Sequence, residues 1–434
     1  MAALAYTPTA FATSLHSTAR VLPQSRALPA DAPRACARAC PPSRSARGLP
    51  QASALSSSRS HAPGALIAAA AAAAAPQPQR VCRRDLVRVA ASVAAEAAAQ
   101  SEGKGANKSR EKRSWTWQRA NGQPSIEINY VVYPTSGSDP PESLVLFLPT
   151  FSDVSTVDEW DHVASDVAAL PPPSSAAGGR QVATLDWPGF GESERPALEY
   201  TATIMEDFVV DFVNFIGANR RVVLVGAGHA PVAALKAVAD GRLKAAGKGG
   251  SVDVQAVVAV APTWAGPLPI VFGHTEQMRP RYAIFRSLVR SPGLGWALYR
   301  FALTSPRNMR QQYLSHVYAD ADNVTPSLLD ARTGITRRPG ARFAPASFVS
   351  GLLDSVKSRE EFVGLFAGAE DAGVKAYVVA SKGSPRRSKA EMQAAKGAPG
   401  VAGFLEVEGA LLPHEEYPIQ TSEAVKGILG ELKA

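Results

Sequence analysis

Cysteine is nearly absent from this 434-residue chain: there are three, Cys36, Cys40 and Cys82. All lie near the N-terminus, so the rest of the chain has neither disulfides nor a thiolate metal site. The seven histidines show no H-x-H or H-x-x-x-H spacing, and no metal site is expected. There is no G-x-x-x-x-G-K-[ST]. Gly226-x-Gly228 lacks the third glycine of a dinucleotide fingerprint, so no nucleotide or other cofactor is expected. The apolar run Gly64–Ala75 is too short for a membrane span, which needs about 20 residues. No internal repeat is visible.

Acidic residues are scarce at one end only. Residues 1–113 carry 16 Lys and Arg against 5 Asp and Glu, a net +11, whereas residues 114–434 carry 30 against 33, a net −3. The pI near 9.4 therefore belongs to the N-terminal segment, and the charge of the remainder gives no support for nucleic-acid binding. Residues 1–80 are rich in Ala, Ser, Arg and Pro, with Asp31 as their one acid. That is the composition of an organelle transit peptide, and its Ala and Pro bias resembles plastid precursors. Arg83-Arg84 followed by an apolar run loosely resembles a lumen signal, but Arg88 and Glu96 interrupt it. The expected location is the chloroplast stroma rather than the thylakoid lumen. Residues 81–113 read as a linker.

From Ser114 onward, strand patterns alternate with helical ones, which predicts an α/β fold with a mostly parallel sheet. Trp115–Ala120 and Ile126–Pro134 read as an opening antiparallel hairpin. Leu144–Pro149, Val182–Trp187, Val222–Val225, Val252–Pro262, Val374–Ser381 and Gly403–Gly409 read as the strands that follow. Helices are expected over Asp158–Leu170, Met205–Ile216, Ser388–Ala395 and Ser422–Leu432. Residues 263–370 show helical patterns and no strand. They are expected to form a cap between two parts of the core, residues 114–262 and 371–434.

The stretch Arg221–Val238, RVVLVGAGHAPVAALKAV, joins an apolar strand through a small-residue turn to a helix opened by Pro231. The motif resembles the nucleophile elbow G-x-S-x-G of the α/β-hydrolase family. The loop DWPGFGESERP, Asp186–Pro196, resembles the family's D-x-x-G-x-G-x-S-x-x-P loop. The resemblance covers roughly residues 115–434 and implies an α/β-hydrolase fold with a helical cap. The elbow has no serine. Its nucleophile position is either Gly228 or, in the register that lets Pro231 open the helix at once, Ala230. Neither side chain forms an acyl-enzyme.

The other positions that the family resemblance marks are also altered. In LFLPTFSDVS, Leu146–Ser155, Phe151 N–H is one expected oxyanion donor. The second is the N–H after the elbow position: His229 N–H if the elbow falls at Gly228, but none if it falls at Ala230, because the next residue is Pro231, which has no N–H. Aligning Pro385 puts Ser384 at the acid position. Aligning Pro413, Glu416 and Pro418 in EGALLPHEEYP puts Leu411 at the base, with His414 three residues on as the fallback. Trp187 and Trp264 are candidate pocket walls, although Trp264 reads equally as a hinge-packing aromatic. Arg337, Arg338 and Arg342, with Lys382, Arg386 and Arg387 on the next loop, form a candidate anion site; the alternative is a solvated face balanced by Glu360 and Glu361. The blocks DWPGFG, APTWAGPLP, RRPGARF and HEEYP resemble a triad-poor group of cyanobacterial and plastid α/β-hydrolase-fold proteins, a resemblance that brings no activity with it. The expected function is binding of a small apolar or amphiphilic ligand, or of a protein partner, without triad catalysis. The rival expectations are an esterase or lipase-like hydrolase that uses His414, and an assembly or scaffolding factor.

Overall fold

The computed structural model describes residues 110–120, 122–136, 141–172, 179–245 and 252–433. The expected transit peptide, nearly all of the expected linker and the three cysteines lie outside these residues. Eight strands form one sheet: β1 (Glu111–Trp117), β2 (Ile126–Ser136), β3 (Ser143–Leu148), β4 (Arg180–Leu185), β5 (Arg221–Ala227), β6 (Asp253–Val260), β7 (Lys375–Ser381) and β8 (Val401–Val407), in the order β1-β2-β4-β3-β5-β6-β7-β8. β1 pairs with β2, and β2 with β4, antiparallel; all later pairings are parallel. This is the α/β-hydrolase fold.

β5 lies between β3 and β6, at the centre of the sheet, as its unbroken apolar run requires. Side chains alternate between the faces. Leu144, Leu146, Val222 and Leu224 join one buried cluster, and Val145, Phe147, Val223 and Val225 the other. Helices α1 (Asp161–Ala168), α2 (Ala202–Ile216) and α3 (Ala230–Ala239) follow β3, β4 and β5. The Thr201 hydroxyl caps α2 by accepting from Ile204 N–H. Phe208 and Phe212 lie on its buried face, whereas Phe215 is half exposed and stacks on Trp115.

The cap comprises α4 (Pro267–Phe272), α5 (Arg279–Arg290), α6 (Leu294–Ala297), α7 (Pro306–Gln312), α8 (Pro326–Thr336) and α9 (Phe343–Val349), with short 3-10 and π-helical turns between them. Three of these helices begin Ser-Pro, Thr-Pro or Gly-Pro, and in the first two the hydroxyl caps the helix. The next helix, α10 (Arg359–Asp371), differs from the expected cap boundary at residue 370. Its Phe362 and Phe366 belong to the main core cluster, and Gly368 lies against Ala239 of α3. It is the crossover to β7. Absence of strand pattern does not separate a cap helix from a crossover helix, because both carry the same 3.6-residue period. The chain closes with α11 (Arg386–Ala394), α12 (Pro413–Glu416) and α13 (Pro418–Leu432).

Candidate functional site

The turn after β5 is built around Gly228, whose φ of +60° is the left-handed conformation that glycine adopts without strain. Its N–H donates to Val260 O (3.1 Å), and its carbonyl accepts from Thr263 N–H (3.0 Å). The apex of the elbow is thus pinned to the end of β6. Ala230 is already helical and wholly buried. The expected preference for Ala230 is therefore corrected: Gly228 occupies the apex, and Pro231 is the second residue of α3. A helix tolerates proline anywhere in its first turn, where N–H groups have no intrahelical partner, so the position of Pro231 did not discriminate between registers. The residue after the apex is His229, which has an N–H.

A side chain at Gly228 would point between two threonines. Its Cβ would lie 3.2 Å from Thr150 Cγ2 and 3.7 Å from Thr263 Oγ1. Aromatic rings close in around this point. Phe151 stacks on Phe190 at 5.9 Å and lies 6.2 Å from His229, while Phe348 meets the His229 ring edge-on at 5.0 Å. The residues expected at the acid and base positions, Ser384 and Leu411, carry neither group. The Ser384 hydroxyl pairs with Ser381, and Leu411 binds the cap through its N–H to Val317 O (3.1 Å).

His414 is fully buried on α12. Its ring stacks on Trp160 at 4.1 Å, and Nε2 lies 3.6 Å from the Glu159 carboxylate. Glu159 accepts in turn from Thr150 N–H (3.0 Å) and Oγ1. Burial lowers the His414 pKa below its ordinary 6.5, against the pull of Glu159. A neutral buried histidine makes folding pH-dependent, because the unfolded chain takes up a proton that the folded chain refuses. This contribution is complete above pH 6.5 and is lost as pH falls toward the folded pKa. His414→Phe keeps the stack on Trp160 and is expected to flatten the fall in stability between pH 7.5 and 5.5, measured by urea unfolding. An unchanged slope would show that His414 does not titrate in this range.

A second buried cluster was not legible in the sequence. Asp354 follows the cap and is fully buried. Its oxygens lie 3.4 Å from His229 Nε2 and 3.1 Å from His274 Nε2, and both accept from Gly266 N–H (3.0 and 3.1 Å). His229 Nδ1 is 2.9 Å from Thr263 Oγ1. Burial pushes the Asp354 carboxyl up, but the facing histidines and the Gly266 amide outweigh it and hold its pKa below the usual range. Asp354 thereby ties the elbow to both ends of the cap. Residues 229, 274 and 354 share no spacing pattern; the only cue was an acid within the apolar run Gly351–Val356.

The tryptophans have structural places. Trp187 is fully buried, with its indole N–H on Pro149 O (2.8 Å). Trp264 stacks on His274 at 5.4 Å and donates to Glu391 (3.0 Å), which Arg359 grips through two nitrogens. The DWPGFG loop is likewise architectural. The Asp186 carboxylate accepts from Asn129 Nδ2 (2.7 Å), Glu192 N–H (2.7 Å) and Val157 N–H (2.8 Å). A Cβ on Gly191 would fall 2.1 Å from that carboxylate, which explains the glycine. Burial pushes the Asp186 pKa up to about 6 despite these donors.

The arginines named from sequence do meet. Arg337, Arg338 and Arg342 line a cavity of about 380 Å³ in the cap, together with Arg300, Trp296 and Tyr299, and no carboxylate is part of its lining. Arg337 donates to Arg300 O (2.9 Å) and Thr304 O (3.0 Å). Burial first, and then the like charge of Arg300, lower its pKa. The Tyr299 side chain is buried, and its hydroxyl and Arg342 Nε have no hydrogen-bond partner among the described residues. Glu192, not Glu360 or Glu361, is the acid beside this group, 3.3 Å from Arg338. Neither Trp187 nor Trp264 lines the cavity. Lys382 pairs with Glu408, and Arg387 donates to Ile270 O (2.7 Å) and Val271 O (2.6 Å). No group of metal-ligating side chains occurs among the described residues.

Residues 145–424 match the alpha/beta hydrolase family, and the chain belongs to it. No curated protein matches the chain. Among solved structures it is similar to a thermophilic esterase from Thermogutta terrifontis, at 14% identity and a TM-score of 0.50 over 75% of this chain and 100% of that one. It is also similar to a hydrolase from Pseudomonas aeruginosa (13% identity, TM-score 0.50, 73% of this chain and 98% of that one). A loop variant of a haloalkane dehalogenase from Bradyrhizobium elkanii gives 12% identity and a TM-score of 0.50 over 75% and 98% of the two chains. At these identities the likeness extends to the fold alone.

Proposed function

We propose that this chain is a non-hydrolytic member of the family that binds a small amphiphile with an anionic head, the head seated in the arginine-lined cavity of the cap. The observation that carries this reading is the cavity itself: four arginines and no carboxylate in the lining of about 380 Å³. Guanidinium groups recognise phosphate and carboxylate through paired N–H donors, and cations held together favour an anion between them; of the four, Arg338 alone faces a carboxylate among the described residues, that of Glu192. Trp296 and Tyr299 give the same cavity an apolar wall. The absence of hydrolysis is supported by Gly228 at the elbow apex and by Ser384 and Leu411 at the other two positions. His414 supports it as well, since a base without exposed surface does not meet a substrate. Its N-terminal composition supports residence in the plastid stroma.

The test is titration of the purified chain with monomeric dodecyl phosphate, followed by calorimetry. Saturable binding is expected, weakened about tenfold by Arg342→Gln and again by Arg300→Gln, the usual effect of losing one charged hydrogen bond. Dodecanol of the same chain length should bind more weakly. Equal binding of the alcohol, or affinity indifferent to both substitutions, would remove the cavity reading.

A further inference from the structure

The cap concentrates two properties, exposed apolar side chains and positive charge. Ten large apolar side chains are exposed among the described residues, and seven of them fall between Val271 and Phe301. Ile284 and Leu288 lie one turn apart on α5, with relative exposures of 69% and 39%. Leu294 and Phe301, both at 67%, and Trp296 at 47% continue the exposed stretch in the next helical segment. Trp296 and Phe301 meet edge-on at 5.7 Å, and the Arg300 guanidinium lies 5.6 Å from the Trp296 ring centroid and 5.9 Å from that of Phe301.

Charge is equally uneven. Between Trp264 and Phe343 there are eleven arginines, no lysine and four acids, a net +7. The rest of residues 114–434 is net −10, because those residues as a whole are net −3. Four of these arginines, Arg279, Arg286, Arg332 and Arg338, pair with carboxylates, and Arg332 is buried; the others leave the cap cationic, with Arg300 directly beside the exposed Trp296 and Phe301 rings. Arg281 and Arg307 are exposed, and neither has a carboxylate partner among the described residues.

We infer that this face docks onto a lipid bilayer carrying anionic headgroups, with Ile284, Leu294, Trp296 and Phe301 entering the boundary between headgroups and acyl chains and the surrounding arginines meeting phosphate. Exposed apolar side chains on a cationic element are what such a surface selects: burial of the former and electrostatic attraction of the latter add. Aromatic rings with an arginine beside them match the amphipathic headgroup layer. No described helix is long and apolar enough to cross a membrane, so the contact lies on the surface. This inference stands on the exposed residues and the charge asymmetry, and does not require the cavity to bind a ligand.

The experiment is co-sedimentation of the full chain with vesicles of phosphatidylcholine alone or with 30% phosphatidylglycerol. Binding to the anionic vesicles is expected, at least tenfold stronger than to the neutral ones and weakened by salt. The double substitution Leu294→Ser with Phe301→Ser removes exposed groups only and is expected to weaken binding about tenfold or more. Arg281→Gln and Arg307→Gln are each expected to cost about fivefold. The basic residues 1–113 are present in every variant, so binding that ignores the cap substitutions would belong to them and would overturn the inference. Failure of the unmodified chain to bind anionic vesicles would also overturn it. So would concentration-dependent self-association abolished by the Leu294 and Phe301 substitutions, since a second copy would then cover the face.

Discussion

Asp354→Ala is expected to destabilise the folded chain by about 3–5 kcal/mol, enough to unfold a domain of ordinary stability in mild denaturant. The substitution removes the acceptor of Gly266 N–H at the start of the cap. It also leaves His229 and His274 without the anion that both rings face. Asp354→Asn retains one carbonyl oxygen but turns an N–H₂ toward one of the rings, so it should lose about half as much. The carboxylate contributes its stability above the ordinary aspartate pKa, and that contribution disappears as pH falls through the depressed folded value. Urea midpoints at pH 7 for the two variants check the first point. If Asp354→Ala unfolds at the same urea concentration as the unmodified chain, the carboxylate is not the tie between elbow and cap.

Gly228→Ser is expected to fold, at a cost of about 1–3 kcal/mol for a non-glycine residue in the left-handed region, and to remain inert toward esters. The new side chain would meet Thr150 at 3.2 Å from its Cβ. The family resemblance puts Ser384 and Leu411, neither acid nor base, at the other two positions, and His229 is already engaged with Thr263 and faces Asp354. A serine without base or acid keeps its alcohol pKa and stays a poor nucleophile. Ester turnover at least a hundredfold above that of the unmodified chain would mean that His229, or another neighbour, supplies general-base catalysis.

The sheet was readable because its signals are local. Each strand from β3 to β7 is a short, largely apolar run, and a run buried on both faces belongs in the interior of a parallel sheet. That places β5 in the sheet interior; its neighbours β3 and β6 follow from the fold that the elbow resemblance implies. The cap boundary was less legible, since α10 carries the same period as the cap helices and only packing against α3 assigns it to the core. At the elbow, the sequence admitted both Gly228 and Ala230. A left-handed φ at Gly228 decides between them, and that is a property of the folded backbone. The clustering of Arg337, Arg338 and Arg342 was readable because they lie within six residues of one another, but Arg300 joins them only through the fold. The Asp354 cluster was beyond reach of spacing arguments. His229, His274 and Asp354 come from the elbow, the cap and the segment after the cap, and only tertiary structure brings them together.

The most direct test of a non-hydrolytic elbow is exposure of the purified, unmodified chain to a fluorophosphonate probe, with intact-protein mass spectrometry as the readout. Such probes label activated hydroxyl nucleophiles, and the elbow apex, Gly228, carries no hydroxyl; the one beside it, Thr263 Oγ1, lies 2.9 Å from His229 Nδ1 and is the nearest position for an adduct. The expected result is an unchanged mass after prolonged exposure. A stoichiometric adduct that maps to Thr150 or Thr263, or to any hydroxyl of the elbow and its neighbouring loops, would contradict it.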